Sequence, residues 1–290
     1  MLLDPRNGPE WDQEPPTNGI RTYVVASTPR SGSTLLCNLI WDAGGMGAPK
    51  EYLNPMQMRD WELRLGSSLG QARNLLLWGP AVNLLSGRFF WDEARLRAHL
   101  DRVRARRSGG GRFGLKVHLH HYQRFFGNKP PEHLLGTGLS WIHIRREDRL
   151  GQAISWVRAL QTQQWASFQR PLLPARYDQT AISRALQRIA SHEQAWEQLL
   201  ADRSPLRLRY EDLTMDPGGV LRGVACHLGV SPPARLPEAG LKRQSDGLSA
   251  EWRARFIAET GYIPPSSTHS SSATFPSSGS FSSSGAGPSR

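Results

Sequence analysis

The segment Thr28-Pro29-Arg30-Ser31-Gly32-Ser33-Thr34 gathers four hydroxyl side chains, an arginine and a glycine into seven residues. Set between a strand and a helix, such a run is a cradle for a phosphate or sulfate. The first N–H groups of a helix lack internal partners and sit at the positive end of its dipole. Gly32 lets an anion approach the backbone, while Ser31, Ser33 and Thr34 add donors. Arg30 contributes a planar, permanently charged set of N–H groups. The run is not a Walker loop: GxxxxGK[ST] is absent and no lysine precedes the Ser or Thr, which weighs against an ATP or GTP hydrolase. The competing structural reading is a helix capped by Ser or Thr. It does not account for Arg30 and Gly32 together.

A second candidate anion locus is Trp141-Ile142-His143-Ile144-Arg145-Arg146-Glu147-Asp148, followed by Gln152, Ser155 and Trp156. Arginine forks onto phosphate oxygens and a serine hydroxyl adds one more donor. An isolated Arg-Arg-Glu-Asp run reads first as solvated surface pairs. Its place after a strand, with the loop at 28–34 nearby in the architecture, favours the phosphate reading. Lys116 closes another strand, where it either faces a ligand or snorkels to solvent. His118, His120 and His121 lack the spacing of a metal site. His120 or His121 fits better as an acceptor-side residue or a general base. Trp61, Trp78, Trp156 and Trp165 are core or interface by default.

These residues need elements that position them. The hydrophobic pattern predicts strands at 21–27, 113–118, 139–144 and 206–210. It predicts helices at 33–43, 91–107, 148–163, 181–200, 220–228 and 250–258. Strands alternating with helices imply a parallel sheet covered on both faces, with ligands at the carboxyl ends of the strands. Residues 1–20, rich in Pro, Gly and Asn, read as a loose arm. Residues 261–290, rich in Ser, Pro and Gly, read as a disordered tail.

Lys plus Arg number 36 against 25 Asp plus Glu, a net charge of +11. This surplus suits a polyanionic partner: nucleic acid, an anionic membrane or a phosphorylated small molecule. Two cysteines, Cys37 and Cys226, make no disulfide scaffold and no zinc pair. The first residues carry no secretory signal pattern, and no apolar run approaches ~18 residues. The expectation is a cytoplasmic protein without a membrane span.

The stretch Ala26-Ser27-Thr28-Pro29-Arg30-Ser31-Gly32-Ser33-Thr34-Leu35-Leu36 resembles the 5′-phosphosulfate loop of sulfotransferases that use 3′-phosphoadenosine 5′-phosphosulfate (PAPS). With Arg in place of the commoner Lys, it is most similar to the bacterial trehalose 2-sulfotransferase-like (Stf-zero-like) family. The likeness continues through Gly44-Gly45-Met46-Gly47-Ala48-Pro49-Lys50-Glu51-Tyr52-Leu53, although Ala48 departs from an acidic residue in that segment. It extends to Leu208-Arg209-Tyr210-Glu211-Asp212-Leu213 and, at lower specificity, to Arg243-Gln244 and the helix after it. The resemblance implies a P-loop-like three-layer α/β sandwich with a central parallel sheet. It puts the 5′-phosphosulfate on Arg30 and Ser31–Thr34, and the 3′-phosphate on Arg146 and Ser155 with Arg243 as a third contact. It makes Glu51 the general base and Lys116 a stabiliser of the transferring sulfuryl group, with no metal. The implied acceptor is a hydroxyl of a carbohydrate, glycolipid or other small molecule, and family members can form homodimers. Two readings compete: a P-loop-like ATP-dependent kinase, and a basic nucleic-acid-binding protein using the arginines of residues 102–112.

Overall fold

We describe residues 4–14, 19–66, 91–165, 170–234 and 247–264 of a computed structural model of the 290-residue chain. Four parallel strands form one sheet in the order β2-β1-β3-β4. They are β1 (Arg21–Ser27), β2 (Arg112–His118), β3 (Ser140–Arg145) and β4 (Leu206–Arg209). The register sets Ser27 beside both His118 and Ile144, so the carboxyl ends of β1, β2 and β3 open on one edge.

Alternation along β1 divides the core. Val24 and Ala26 face one side, with Phe113, Leu115, Val117 and Trp141. That side is covered by α2 (Pro55–Leu65), α3 (Glu93–Arg107), α4 (Leu119–Phe125), α5 (Glu132–Leu135) and Trp196 of α7 (Gln179–Leu199). Tyr23 and Val25 face the other side, with Ile142, Ile144 and Leu208. There α1 (Ser33–Ala43), α8 (Tyr210–Met215) and α9 (Pro217–Leu228) pack. A third cluster joins α6 (Arg149–Thr162), α7 and α10 (Gly247–Thr260) through Ile154, Ile189, Trp252 and Phe256. This is the expected three-layer α/β sandwich. Asp92, Asp148, Asp178 and Asp216 cap α3, α6, α7 and α9, each accepting from a backbone N–H three residues on.

Two expectations change. The strand expected at 206–210 ends at Arg209, and Tyr210 opens a helix. Arg209 grips Asp212 through two hydrogen bonds of 2.8 and 2.6 Å, which turns the chain at that point. The arm expected to be loose over 1–20 is docked where it is described. It makes 3-10 turns at Pro5–Asn7 and Pro9–Trp11, and Asn7 is fully buried. Composition missed this because the arm buries polar rather than apolar groups. The tail beyond residue 264 lies outside the described residues.

Candidate active site

The loop after β1 turns sharply before α1. Arg30 has φ +62° and Gly32 φ +87°. A Cβ on Gly32 would stand 2.3 Å from Cδ2 of Tyr210, so the position requires glycine for conformation and for space. No side chain caps α1, whose N-cap is Gly32 itself. The reading of the loop as an ordinary Ser- or Thr-capped helix therefore fails. Gln152 of α6 holds the loop from below, donating to Thr28 Oγ1 at 2.7 Å and to the Pro29 carbonyl at 2.8 Å. Ser31 Oγ is buried with no hydrogen-bond partner among the described residues. A buried hydroxyl left unpaired costs free energy, and an anion oxygen in the loop would satisfy it.

The second locus lies at the end of β3. Arg146 donates to Asp148 at 3.2 Å and its guanidinium sits 4.9 Å from the Tyr210 ring centroid, while its Nε is buried with no partner among the described residues. Asp148 also pairs with Arg253 of α10. Burial would raise the Asp148 carboxyl, but Arg253, the Gly151 amide and Arg146 together hold it below the ordinary carboxylate value. The two loci are joined directly, since Arg30 Nε donates to Ser155 Oγ at 2.9 Å. Arg30 also donates to the Trp165 carbonyl at 2.7 Å. Its guanidinium thus lies with Ser155, and burial first, then Arg146 and Arg158, make its charged form less favourable. Two cationic side chains held close in this way, with spare buried donors, form a receptor for an anion with several oxygens.

Glu51 stands at the junction of the loop with β2. Its Oε1 is 2.5 Å from Lys116 Nζ and 3.3 Å from His118 Nε2, and its Oε2 accepts from Asn54 at 2.8 Å. Burial alone would raise this carboxyl. Lys116 and His118 outweigh that and hold it well below the usual range. Lys116 Nζ also donates to Thr34 Oγ1 at 2.8 Å, so one ammonium ties the carboxylate to the anion loop. The Nδ1 of His118 lies 3.1 Å from Ser27 Oγ. His120 and His121 stack beside His118, their rings 4.0 Å apart. Burial is the main cause that brings His120 down to about 4 and His121 to about 3, so both are neutral at neutral pH.

Of the residues singled out in the sequence, Arg30, Ser155 and Arg146 cluster at one end of this edge. Glu51, Lys116 and Thr34 cluster at the other. Arg243 and Trp78 fall outside the described residues. Trp61 is core, and Trp156 is buried against α7. Sequence reasoning did not single out the His118 contact to Glu51, Tyr210 under Gly32, or Arg253 on Asp148. For Tyr210 a signal is present in the sequence, since the stretch Leu208–Leu213 that contains it resembles the family. The arginines of residues 102–112 are committed within the protein. Arg102 pairs with Glu62, Arg104 with Asp101 and Arg106 with Asp12. Arg107 and Arg112 bond backbone carbonyls of Gly8 and Leu228.

The carboxyl edge of the parallel sheet thus carries two linked clusters of cationic and hydroxyl side chains, with a carboxylate–lysine pair against one of them. The Stf0 sulphotransferase profile matches residues 22–259, and the chain belongs to that family: it is a sulfotransferase. The trehalose 2-sulfotransferase of Mycobacterium tuberculosis (strain ATCC 35801 / TMC 107 / Erdman) is 25% identical over 274 residues, covering 84% of this chain and 97% of that protein. The trehalose 2-sulfotransferase of Mycolicibacterium smegmatis is 26% identical over 265 residues, covering 81% and 93%. Among solved structures, a sulfotransferase from Alicyclobacillus acidocaldarius aligns with a TM-score of 0.43 at 15% identity, over 85% of this chain and 98% of the other.

Proposed function

We propose that this sulfotransferase moves the sulfuryl group of PAPS to a hydroxyl of a carbohydrate acceptor, with Glu51 as the general base. The observation that carries the reading is Lys116, within 2.5 Å of Glu51 and 2.8 Å of Thr34. It couples the group that would take a proton to the loop that would hold the donor. In the reaction, the acceptor oxygen bonds to sulfur as the bond from sulfur to the 5′-phosphate oxygen breaks. The hydroxyl proton passes to Glu51, and 3′-phosphoadenosine 5′-phosphate (PAP) leaves.

The chain's own groups divide the work. Ser31–Thr34 and the start of α1 receive the 5′ end, where backbone amides and Lys116 offset charge on the oxygens. Arg146 and Ser155 receive the 3′-phosphate. Arg30 bridges the two ends, which supports a donor phosphorylated at both positions over a simple triphosphate. The acceptor class rests on the two trehalose 2-sulfotransferase relatives, whose sequences align over most of this chain. His120 and His121, neutral and beside Glu51, fit an uncharged polyol better than a charged acceptor.

The test is Glu51→Gln assayed with labelled PAPS against a panel of sugars, trehalose included, beside PAP binding by calorimetry. Turnover should fall by ~10²–10⁴-fold, the usual weight of a general base, with PAP affinity preserved. Full turnover in the variant would remove Glu51 from the mechanism.

A further inference from the structure

The segment that carries Glu51 has no strand of its own. Residues 44–54 cross the edge of the site between α1 and α2; their one ladder contact with the sheet is the isolated bridge of Lys50 to Leu115, where the Lys116 amide donates to the Lys50 carbonyl at 2.9 Å, and the Tyr23 hydroxyl of β1 donates to the Met46 carbonyl at 2.9 Å. What fixes the segment from the far side is the N-terminal strap, residues 4–12. Lys50 Nζ sits 2.8 Å from Asp4 Oδ2 and donates to Asn7 Oδ1 at 2.9 Å. Asn7 in turn donates to Gln57 and Asp60 of α2, at 2.8 and 2.9 Å, and the Asp4 amide donates to Asp60.

A second line of contacts runs through Arg107 at the end of α3. Its fully buried guanidinium reaches the carbonyls of Gly8 and Trp11 and the Asp12 carboxylate. Its backbone carbonyl accepts from Ala48, three residues before Glu51, at 2.9 Å. A Cβ on Gly47 would stand 2.5 Å from the Arg112 carbonyl and 2.9 Å from that of Arg107, so the chain lies tight against its supports here. The strap therefore grips the residue just before Glu51 and the residue that anchors Ala48.

Lys50 is costly to keep in this place. Burial pulls its ammonium down to about 8, with Asp4 working against that shift and Arg107 and Arg6 adding to it. A buried ammonium held by a carboxylate and an amide is a directional clamp, and breaking one side leaves the other charge buried and unpaired. Glu51 has far less freedom to drift from Lys116 while its neighbour is held at both the backbone and the side-chain tip.

From this geometry we infer that Asp4, Asn7 and Lys50 are positioning residues for Glu51, so that the N-terminal strap sets the turnover rate while the donor site stands without it. The inference rests on the role of Glu51 proposed above. A misplacement of about 1 Å in a reacting group can cost ~10²-fold in rate, and partial release of one residue should cost less. In the full-length chain, Asp4→Asn and Lys50→Met should each lower kcat about tenfold. The assay uses the sugar with the highest turnover in the acceptor panel. The Kd for PAP should stay within twofold, because the strap's bonds described above run to Lys50, α2 and Arg107 and not to Arg146, Ser155 or the loop at 28–34.

Melting curves accompany both variants, and Asp4→Asn, which keeps the side chain's shape, guards against simple loss of folding in Lys50→Met. In a Glu51→Gln background the strap substitutions should have no further effect on kcat. Unchanged kcat in Asp4→Asn and Lys50→Met overturns the inference, as does an equal loss of kcat and PAP affinity, or a full additional loss in the Glu51→Gln background. Failure of the base assignment itself would appear separately, as full turnover in Glu51→Gln alone.

Discussion

The anion loop at residues 28–34 and the Glu51 segment at residues 44–54 meet at Lys116, yet they are held in different ways. The loop follows directly from β1, a strand paired on both sides, and is braced by Gln152 from α6 and Tyr210 from α8. Its shape comes from local conformation, the positive φ of Arg30 and Gly32, on a rigid strand end. The Glu51 segment borrows its position from groups distant in sequence: β2, the end of α3 and the strap. A site half of which is motif and half of which is assembly can lose turnover without losing the donor, and the reverse.

Lys116 is where that comparison breaks most sharply, because it serves both halves. Lys116→Met should cut turnover by ~10²–10³-fold, as loss of one preorganised charge does elsewhere. It leaves the half-buried Glu51 carboxylate with His118 and Asn54 among the described residues. Steady-state assays beside PAP calorimetry would check this, and a loss confined to PAP affinity would mean that Lys116 belongs to the loop only. Gly32→Ala should touch the loop alone. The new Cβ meets Tyr210 at 2.3 Å in a left-handed conformation. The strain, ~1–3 kcal/mol, should appear as about a tenfold or larger loss of PAP affinity and a lower melting temperature. Native PAP affinity in this variant would mean that the loop does not hold the 5′ end.

A further test, which leaves turnover aside, is stability against pH. The buried His121 has its folded-state value lowered to about 3 by burial, then by His120, from an ordinary 6.5. Its contribution to stability is complete above pH 6.5, where it is neutral in both states. It is lost progressively as pH falls from 6.5 towards 3, where only the unfolded chain binds the proton. The expected slope is up to about 1.4 kcal/mol per pH unit. His121→Gln should flatten the fall in denaturation midpoint between pH 6.5 and 4. An unchanged profile would put the acid sensitivity elsewhere.

The strand before the loop and the residue types that make the loop a candidate donor site were legible in the sequence, while the Arg146/Ser155 candidates came from the family resemblance. The pairing of Arg30 with Ser155, 125 positions apart, did not show, because nothing in either stretch specifies its distance from the other. The strap was misread for a related reason. Its Pro- and Gly-rich composition predicts poor apolar burial, and its order comes from polar partners on α2 and α3 that composition does not register.

The sequence by itself determined the alternating α/β plan, the anion loop and the membership that follows from its motifs, since these depend on local conformation and residue chemistry. Only the tertiary structure decided which charges meet. It put Lys116 between Glu51 and Thr34, set Arg30 against Ser155, turned Arg107 of α3 inward and bound Asp4 and Asn7 to Lys50. Ion pairs and hydrogen bonds act over a few ångströms, and which groups come that close is fixed by packing across the sheet, not by spacing along the chain.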